Sequence, residues 1–551
     1  MLKKIIPFTL LPLFLFGCGK SKKINVSSKN TYFSFTLDGN NAIITGLNSN
    51  YKNQTDLVVP YSIDKHVVKK IDDNSFDGVY RITKFDMSKS EVEEIGSFAF
   101  RKCSNLEKVI YSNTLTKIGD NAFDSCKSIE TMDLSNSKVE AISDNMFVNC
   151  ENLTTVTFPK TLKVLGSNIF SGCTGITKLD YSDLNIETLK DYSLSGLTNL
   201  LDVKLSQTTK ELGAYSLSNN KKVGYYDLSN TSIEKIGEGA FSNCPILETV
   251  NLPASVKELG AKSFYYCSKL TRLDLAKTEI EEIPVSCFEL CRSLDEVLIS
   301  KVKKISSRAF YNSSLTEITI TKTVEEIADD ALRLCNKLES ITVDSGNTNF
   351  VVSNNALYTF NKEKLIAYPA ACKEKEFTIS PNTTVINSYA FADAVNLVTV
   401  DLSSIRIDEI GGYTFMNCTS LKSITIGSDT ATGVKKIGVK AFFGCKALEE
   451  FNGQFSLTEI GESAFYDCIG LDRVYLGEST LLTKIGAEAF FNCKKMTTLS
   501  LPASLVTVGR SAFYNCVEVK NFSYGANRAK YTALVQNNEG SYLELFEHFF
   551  D

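Results

Sequence analysis

The chain has 551 residues, 43% hydrophobic and 22% charged, with a formal net charge of −5. That apolar content excludes global disorder, and the mild acidity argues against general nucleic-acid binding. The two histidines, His66 and His548, leave little room for imidazole catalysis.

Residues 1–17 carry Lys3 and Lys4, then an apolar run from Ile5 to Phe16. This is the layout of a secretory signal peptide, too short to span a bilayer as a helix. Leu15, Phe16, Gly17 and Cys18 resemble a bacterial lipobox. The resemblance implies cleavage before Cys18 and lipidation of its thiol; the alternative is ordinary signal cleavage with Cys18 free. A lipidated N-terminus would anchor the chain to a membrane. Residues 18–30 are basic, polar and aperiodic, and read as a flexible tether. Residues 31–56 read as an N-terminal cap hairpin, turning at Asp38 and Gly39.

Residues 57–516 repeat one pattern, L-x-x-V-x-L, V-x-x-I-G, A-F-x-x-C. A full copy runs through Leu247, Val250, Leu252, Val256, Leu259, Gly260, Phe264 and Cys267. The Phe position is the clearest ruler. From Phe76 to Phe288 it recurs at alternating steps of 24 and 23, with Leu194 and Leu217 standing in for Phe. It continues at Phe310, Leu332, Phe391, Phe415, Phe442, Phe465, Phe490 and Phe513. Such a period is the leucine-rich-repeat signature. One coil cannot bury its own apolar face, so coils stack. The expected fold is a repeat solenoid, α/β to mostly β, of about 19 coils of 22–27 residues. Its V-x-L strands form one long parallel sheet with a cap at each end; at about 4.8 Å per strand the array runs about 90 Å. The Gly after Ile is expected to supply unusual backbone angles, and A-F-x-x-C to be a helical turn or loop.

A-F-x-x-C, V-x-L-P and I-G-x-x-A-F resemble the BspA-like family of bacterial surface leucine-rich-repeat proteins over about residues 57–516. The resemblance implies a surface-exposed, adhesive solenoid. The chain departs from other leucine-rich repeats where Ser255 and Thr231 replace the usual Asn.

The step from Leu332 to Phe391 is long, at 59 residues. Residues 345–380 read as strand, turn and strand, an elaborated hairpin-bearing coil within one array. Residues 517–551 read as a C-terminal cap with short helices at 529–536 and 542–550. Its Leu545, Phe546, Phe549 and Phe550 fit either capping or partner docking.

Thirteen of sixteen Cys fall three residues after the Phe position. Stacked this way, they read as a reduced, buried ladder rather than disulfides or a tetrahedral metal site. Cys287 and Cys291 fit a local bond less well than separate burial. Between the inward strand residues, Asp133, Asp180, Asp227 and Asp274 recur every 47 residues, as do Glu140, Glu187, Glu234 and Glu281. They read as an acidic binding face, for basic partners or Ca²⁺, or as a solvated face copied by duplication. Directly after the Phe position come Phe443, Tyr466, Phe491 and Tyr514, with Tyr265 and Tyr311 earlier. This stripe reads as a binding surface or as packing between coils.

No G-x-S-x-G, P-loop or H-E-x-x-H occurs, so no enzyme, cofactor or metal is expected. The expected function is non-catalytic: an exported, lipid-anchored surface lipoprotein that binds proteins in adhesion to host or other cells. The alternatives are an envelope-structural lipoprotein without a host ligand and a glycan-binding module; the missing Trp disfavours the last.

Overall fold

The computed structural model describes residues 31–426, 433–453 and 456–550. The expected signal segment 1–17, and the tether 18–30 with Cys18, lie outside the described residues. Within them the chain winds into a mostly β solenoid of 43 strands, one α-helix and one 3-10 helix. This is the stacked leucine-rich-repeat architecture that the Phe ruler points to.

The regular coils carry two strands where the sequence pointed to one, although the coil of Phe147 has only Thr131–Asp133 and a single bridge from Ala141 to Val164. Before Phe241, Tyr225–Asp227 is the V-x-L strand and Lys235–Ile236 a second. The next coil repeats them as Thr249–Asn251 and Glu258–Leu259. Both pairings are parallel, with Tyr226 opposite Val250 and Ile236 opposite Leu259. Side chains alternate in and out, so Val250 is buried between exposed Thr249 and Asn251.

The A-F-x-x-C segment forms no helix. The residues two before and two after Phe123, Asn121 and Ser125, adopt φ of 55° and 61°. Left-handed backbone is unfavourable for L-residues, and the next coil holds both. The Asn121 N–H donates to Asp144 O at 3.1 Å and the Ser125 N–H to Val148 O at 2.8 Å. Between these two reversals Phe123 points inward and stacks on Phe100, centroids 5.3 Å apart. The same stacking links Phe465, Phe490 and Phe513.

The Gly after Ile has a different reason from the expected one. Gly119, Gly260 and Gly509 are not among the positive-φ residues. A Cβ there would lie 2.4 Å from Ser97 N, 2.3 Å from Glu238 N and 2.2 Å from Ala487 N. Glycine is needed because successive backbones nearly touch, not because the chain takes an unusual turn.

Both ends of the Phe stack are closed edge-on. Phe33, in the antiparallel hairpin Phe33–Asp38 and Asn41–Leu47, meets Phe76 at 82°. Phe546, in the 3-10 helix Leu543–Phe550, meets Phe513 at 84°. The helix Arg528–Asn537 buries Tyr531 and Leu534. Asn538 then covers the last strand edge: its Oδ1 accepts from Val508 N at 2.8 Å and its Nδ2 donates to Val506 O at 3.1 Å. The C-terminal aromatics thus lie against the final coil.

At the long step, Phe350–Ser353, Ala356–Thr359 and Lys364–Ala367 form an antiparallel meander. Its side chains serve two cores. Leu357 and Ile366 join the N-terminal core; Ala356, Tyr358 and Leu365 join the C-terminal one. The V-x-L strands do not form the one long sheet expected but a series of short parallel ladders, and here the second-strand ladder stops as well: Ser340–Val343 does not pair with Glu376–Thr378, nor Glu326–Ile327 with Lys364–Ala367.

Candidate functional site

Thiols are the most nucleophilic side chains in the sequence when ionised. All thirteen in-register Cys donate from Sγ to the carbonyl of the preceding coil's Phe-position residue, at 3.0–3.5 Å. The pair Cys126 and Phe100 O, at 3.1 Å, is typical. Where Leu217 replaces Phe, Asn220 stands in for Cys and donates to Leu194 O at 3.1 Å. Burial pushes the Cys103 and Cys244 thiols up to about 12 and Cys335 to about 11, which suppresses thiolate chemistry. Cys287 and Cys291 have separate partners, the Ser263 hydroxyl at 3.3 Å and Phe264 O at 3.0 Å.

The Asp column serves the turns after the strands. Asp133 and Asp274 accept from the N–H two residues on, Ser135 at 3.0 Å and Ala276 at 2.9 Å. Asp180 and Asp227 also accept from Ser182 and Ser229 hydroxyls, at 2.6 and 2.7 Å. Those hydroxyls hold both carboxyls below the usual carboxylate range. The intervening coils have Thr157, Lys204 and Asn251; Thr157 and Asn251 are followed two residues later by Pro159 and Pro253, and Lys204 by Ser206. Proline has no N–H to offer and fixes the turn itself, which accounts for the missing Asp in those two coils.

The Glu column is charge-balanced rather than acidic. Glu140, Glu187, Glu234 and Glu281 pair with Lys163, Lys210, Lys257 and Lys303 of the next coil, at 2.7–3.1 Å. Like charges on neighbouring strands would repel, so opposite signs alternate. Among the described residues, no group of three or more His, Cys, Asp or Glu is placed to hold a metal ion.

The lateral face, formed by the turns on either side of the buried Phe, carries a continuous row of stacked rings. Phe443, Tyr466, Phe491 and Tyr514 stack with centroids 5.0, 4.6 and 4.6 Å apart, tilted by at most 18°. Tyr542 closes the row edge-on at 5.1 Å. The first three rings are half-buried and Tyr514 is exposed. The row extends further than its sequence signal. Lys440 Nζ lies 5.8 Å from the Phe443 ring centre and 6.0 Å from that of Tyr413. Tyr413 stacks on Tyr389 at 4.7 Å. Arg333 lies over Tyr389 at 4.0 Å and reaches Tyr311 at 5.5 Å, and Arg308 covers Tyr311 at 4.4 Å. Glu289, itself buried, neutralises Arg308 at 2.6 Å. Tyr389, Tyr413, Arg308 and Lys440 sit two residues before the Phe position, so the sequence stripe missed them. The left-handed turn brings both positions onto one face.

No curated protein matches the chain. A leucine-rich cell surface protein from Faecalibacterium prausnitzii is 22% identical, with 93% of this chain and 97% of that one covered and a TM-score of 0.40. A leucine-rich-repeat protein from Bacteroides ovatus is 20% identical, with 90% and 98% covered and a TM-score of 0.35. One from Eubacterium ventriosum is 22% identical, with 68% and 84% covered and a TM-score of 0.33. The model of the BspA type leucine rich repeat region, in six copies, matches residues 69–184, 136–232, 225–339, 370–471 and 429–535. With the coil pattern, the stacked Phe column and this match in agreement, the chain belongs to the BspA-type leucine-rich-repeat family.

Proposed function

We propose that the protein is an exported lipoprotein, anchored through Cys18, whose solenoid binds other proteins at the cell surface without catalysis, in adhesion to host or other cells. The aromatic row from Phe443 to Tyr514 carries this reading. Stacked coils hold these rings at fixed spacing, so little side-chain entropy is lost when a partner docks. The rings face one another, which leaves their edges and the Tyr466 and Tyr514 hydroxyls toward solvent. Ring edges and hydroxyls suit polypeptide carbonyls and carboxylates. A saccharide packs on open ring faces, and here the neighbouring rings occupy them. Clustering on a membrane adds avidity to modest single contacts.

The test is saturable binding of the purified mature chain to cells, beside a Tyr466→Ala, Phe491→Ala double variant. At least about tenfold weaker binding by the variant is expected, equivalent to about 1.4 kcal/mol. Equal binding by both, or none by either, overturns the reading. Cys18→Ala should leave the membrane fraction.

A further inference from the structure

We infer that the gap between the Thr155–Thr157 and Lys178–Asp180 strands is a docking slot for an extended segment of a partner protein, one with an apolar side chain next to a basic one. It rests on the protein-binding reading and names a second surface for it, on the strand face.

The gap has a visible cause. At the inward strand-end position the flanking coils place Leu134 and Leu205, whereas these two place Phe158 and Tyr181. The two rings lie 5.8 Å apart at 55°. Thr131–Asp133 pairs with Thr155–Thr157, and Lys178–Asp180 with Asp202–Lys204, but the two middle strands do not pair. In the paired coils the Leu134 N–H donates to Thr157 O and the Tyr181 N–H to Lys204 O, both at 2.8 Å. The equivalent groups across the gap, the Phe158 N–H and the Asp180 C=O, have no protein partner among the described residues. Leu205 and Asp227 also lack this bond, so the open bond alone does not make the site. The rings and the cleft that they open do.

That cleft measures ≈ 400 Å³. Thr155 and Thr157 form one wall, Lys178 and Asp180 the other, over Leu179 and Leu184. Val156, the central strand residue, is half-buried where Met132 and Leu179 are buried. Tyr181 lines the cleft, only 2% exposed, and its hydroxyl has no hydrogen-bond partner among the described residues.

These features select the occupant. A backbone N–H and C=O left open on the two sides of a strand gap can be met by the backbone of an extended peptide. The apolar floor takes one of its apolar side chains. At the rim, Lys178 is neutralised by Asp202 at 3.5 Å and Asp180 by Lys204 at 3.6 Å. Asp183 is exposed and has no ion-pair partner among the described residues. The spare rim charge is negative, so the adjacent side chain of the partner is basic.

The experiment uses the mature chain and fluorescein-labelled pentapeptides of form Thr-X-Arg-X-Thr, with X as Leu, Val or Phe, read by anisotropy. Phe158→Leu installs the residue that neighbouring coils carry, so it folds while narrowing the gap; a thermal melt confirms that. Asp183→Asn removes the rim charge. At least one peptide should bind saturably, and at least about tenfold more weakly to Phe158→Leu. Replacing Arg by Glu in the peptide, or Asp183 by Asn in the protein, should each weaken binding several-fold. Binding that ignores both Phe158→Leu and the Arg-to-Glu change overturns the slot, as does no binding by any peptide up to about 1 mM. Cell binding by Phe158→Leu separates the two proposals. If it equals the wild type while the peptides lose affinity, the slot stands and cell adhesion runs through the aromatic row. If the wild type binds peptide but no cells, the slot stands and the adhesion reading fails.

Discussion

Arg333 places its guanidinium 4.0 Å from the ring centre of Tyr389, and in doing so joins two separate cores. Arg333 follows Leu332, packed against the N-terminal core, and Tyr389 precedes Phe391 of the C-terminal one. Across this joint both parallel ladders are interrupted, so side chains carry much of the coupling. Lys364 with Asp329 at 3.2 Å and Lys373 with Glu339 at 2.8 Å add exposed ion pairs, worth little each.

The first expectation is two-step unfolding. Stability in stacked repeats is a sum of local terms and neighbour interfaces, and cooperativity fails at a weak interface. Urea denaturation followed by tyrosine fluorescence should show two transitions. Arg333→Ala should lower the earlier one by about 1 kcal/mol, the usual scale of a partly buried cation–π contact, and widen the separation. A single transition that moves as one would mean that the joint is no weaker than any other coil boundary.

Thiol substitutions should report an orphaned carbonyl as well as a cavity. Cys267→Ala removes the donor to Phe241 O, 3.0 Å away. The expected cost is about 2–3 kcal/mol, above what a small lost side-chain volume gives alone. Cys267→Ser keeps a donor and should cost less. With an aromatic disulfide reagent, the fifteen buried thiols should stay silent in the native chain and react after denaturation. Fast native reaction at any of them would contradict their burial.

Two glycines make a matched pair. Gly260→Ala puts a Cβ 2.3 Å from Glu238 N and should cost about 2–3 kcal/mol, as overpacking does. Gly224→Ala meets nothing closer than Ile246 O at 3.7 Å and should fall within about 0.5 kcal/mol of wild type. Equal melting temperatures for the two variants would show that the coils can part to admit a methyl group.

Acid should weaken the strand-end turns. The Ser182, Ser229 and Ser403 side chains hold the carboxyls of Asp180, Asp227 and Asp401 below their usual range. A pKa lower in the folded than in the unfolded chain means stability that is present above the unfolded value, near 3.9, and lost as pH falls through the folded one. Denaturation midpoints should therefore decline below about pH 4. The triple Asp→Ala variant should start lower at pH 7 and decline less. Each exposed carboxylate contributes under about 1 kcal/mol, so the three are removed together.

The Phe column made the coil legible because a buried ring every 22–27 residues leaves no other economical packing. The second strand was not legible: Lys235–Ile236 spans two residues, below any periodicity. Gly260 was visible as a requirement but with the wrong cause, since one coil read alone cannot show how near the previous backbone lies. For the same reason the Cys spacing showed burial at Cys126 but not its bond to Phe100. The aromatic row was half legible. Phe443 and Tyr466 share an offset from the ruler, while Tyr389 and Tyr413 reach that face only through a left-handed turn.

The alternation of Glu and Lys just before the second strand has a genetic consequence. Deleting one coil, residues 211–234, would set Lys257 beside Lys210 and leave two like charges stacked. Deleting residues 188–234, two coils together, would set Lys257 beside Glu187 and restore the bond that each had before. From Glu140 to Lys303, length can therefore change smoothly only in pairs of coils. Beyond the joint, where Lys435 is followed by Thr458 and Thr483, no such parity rule applies and single coils are free to come and go.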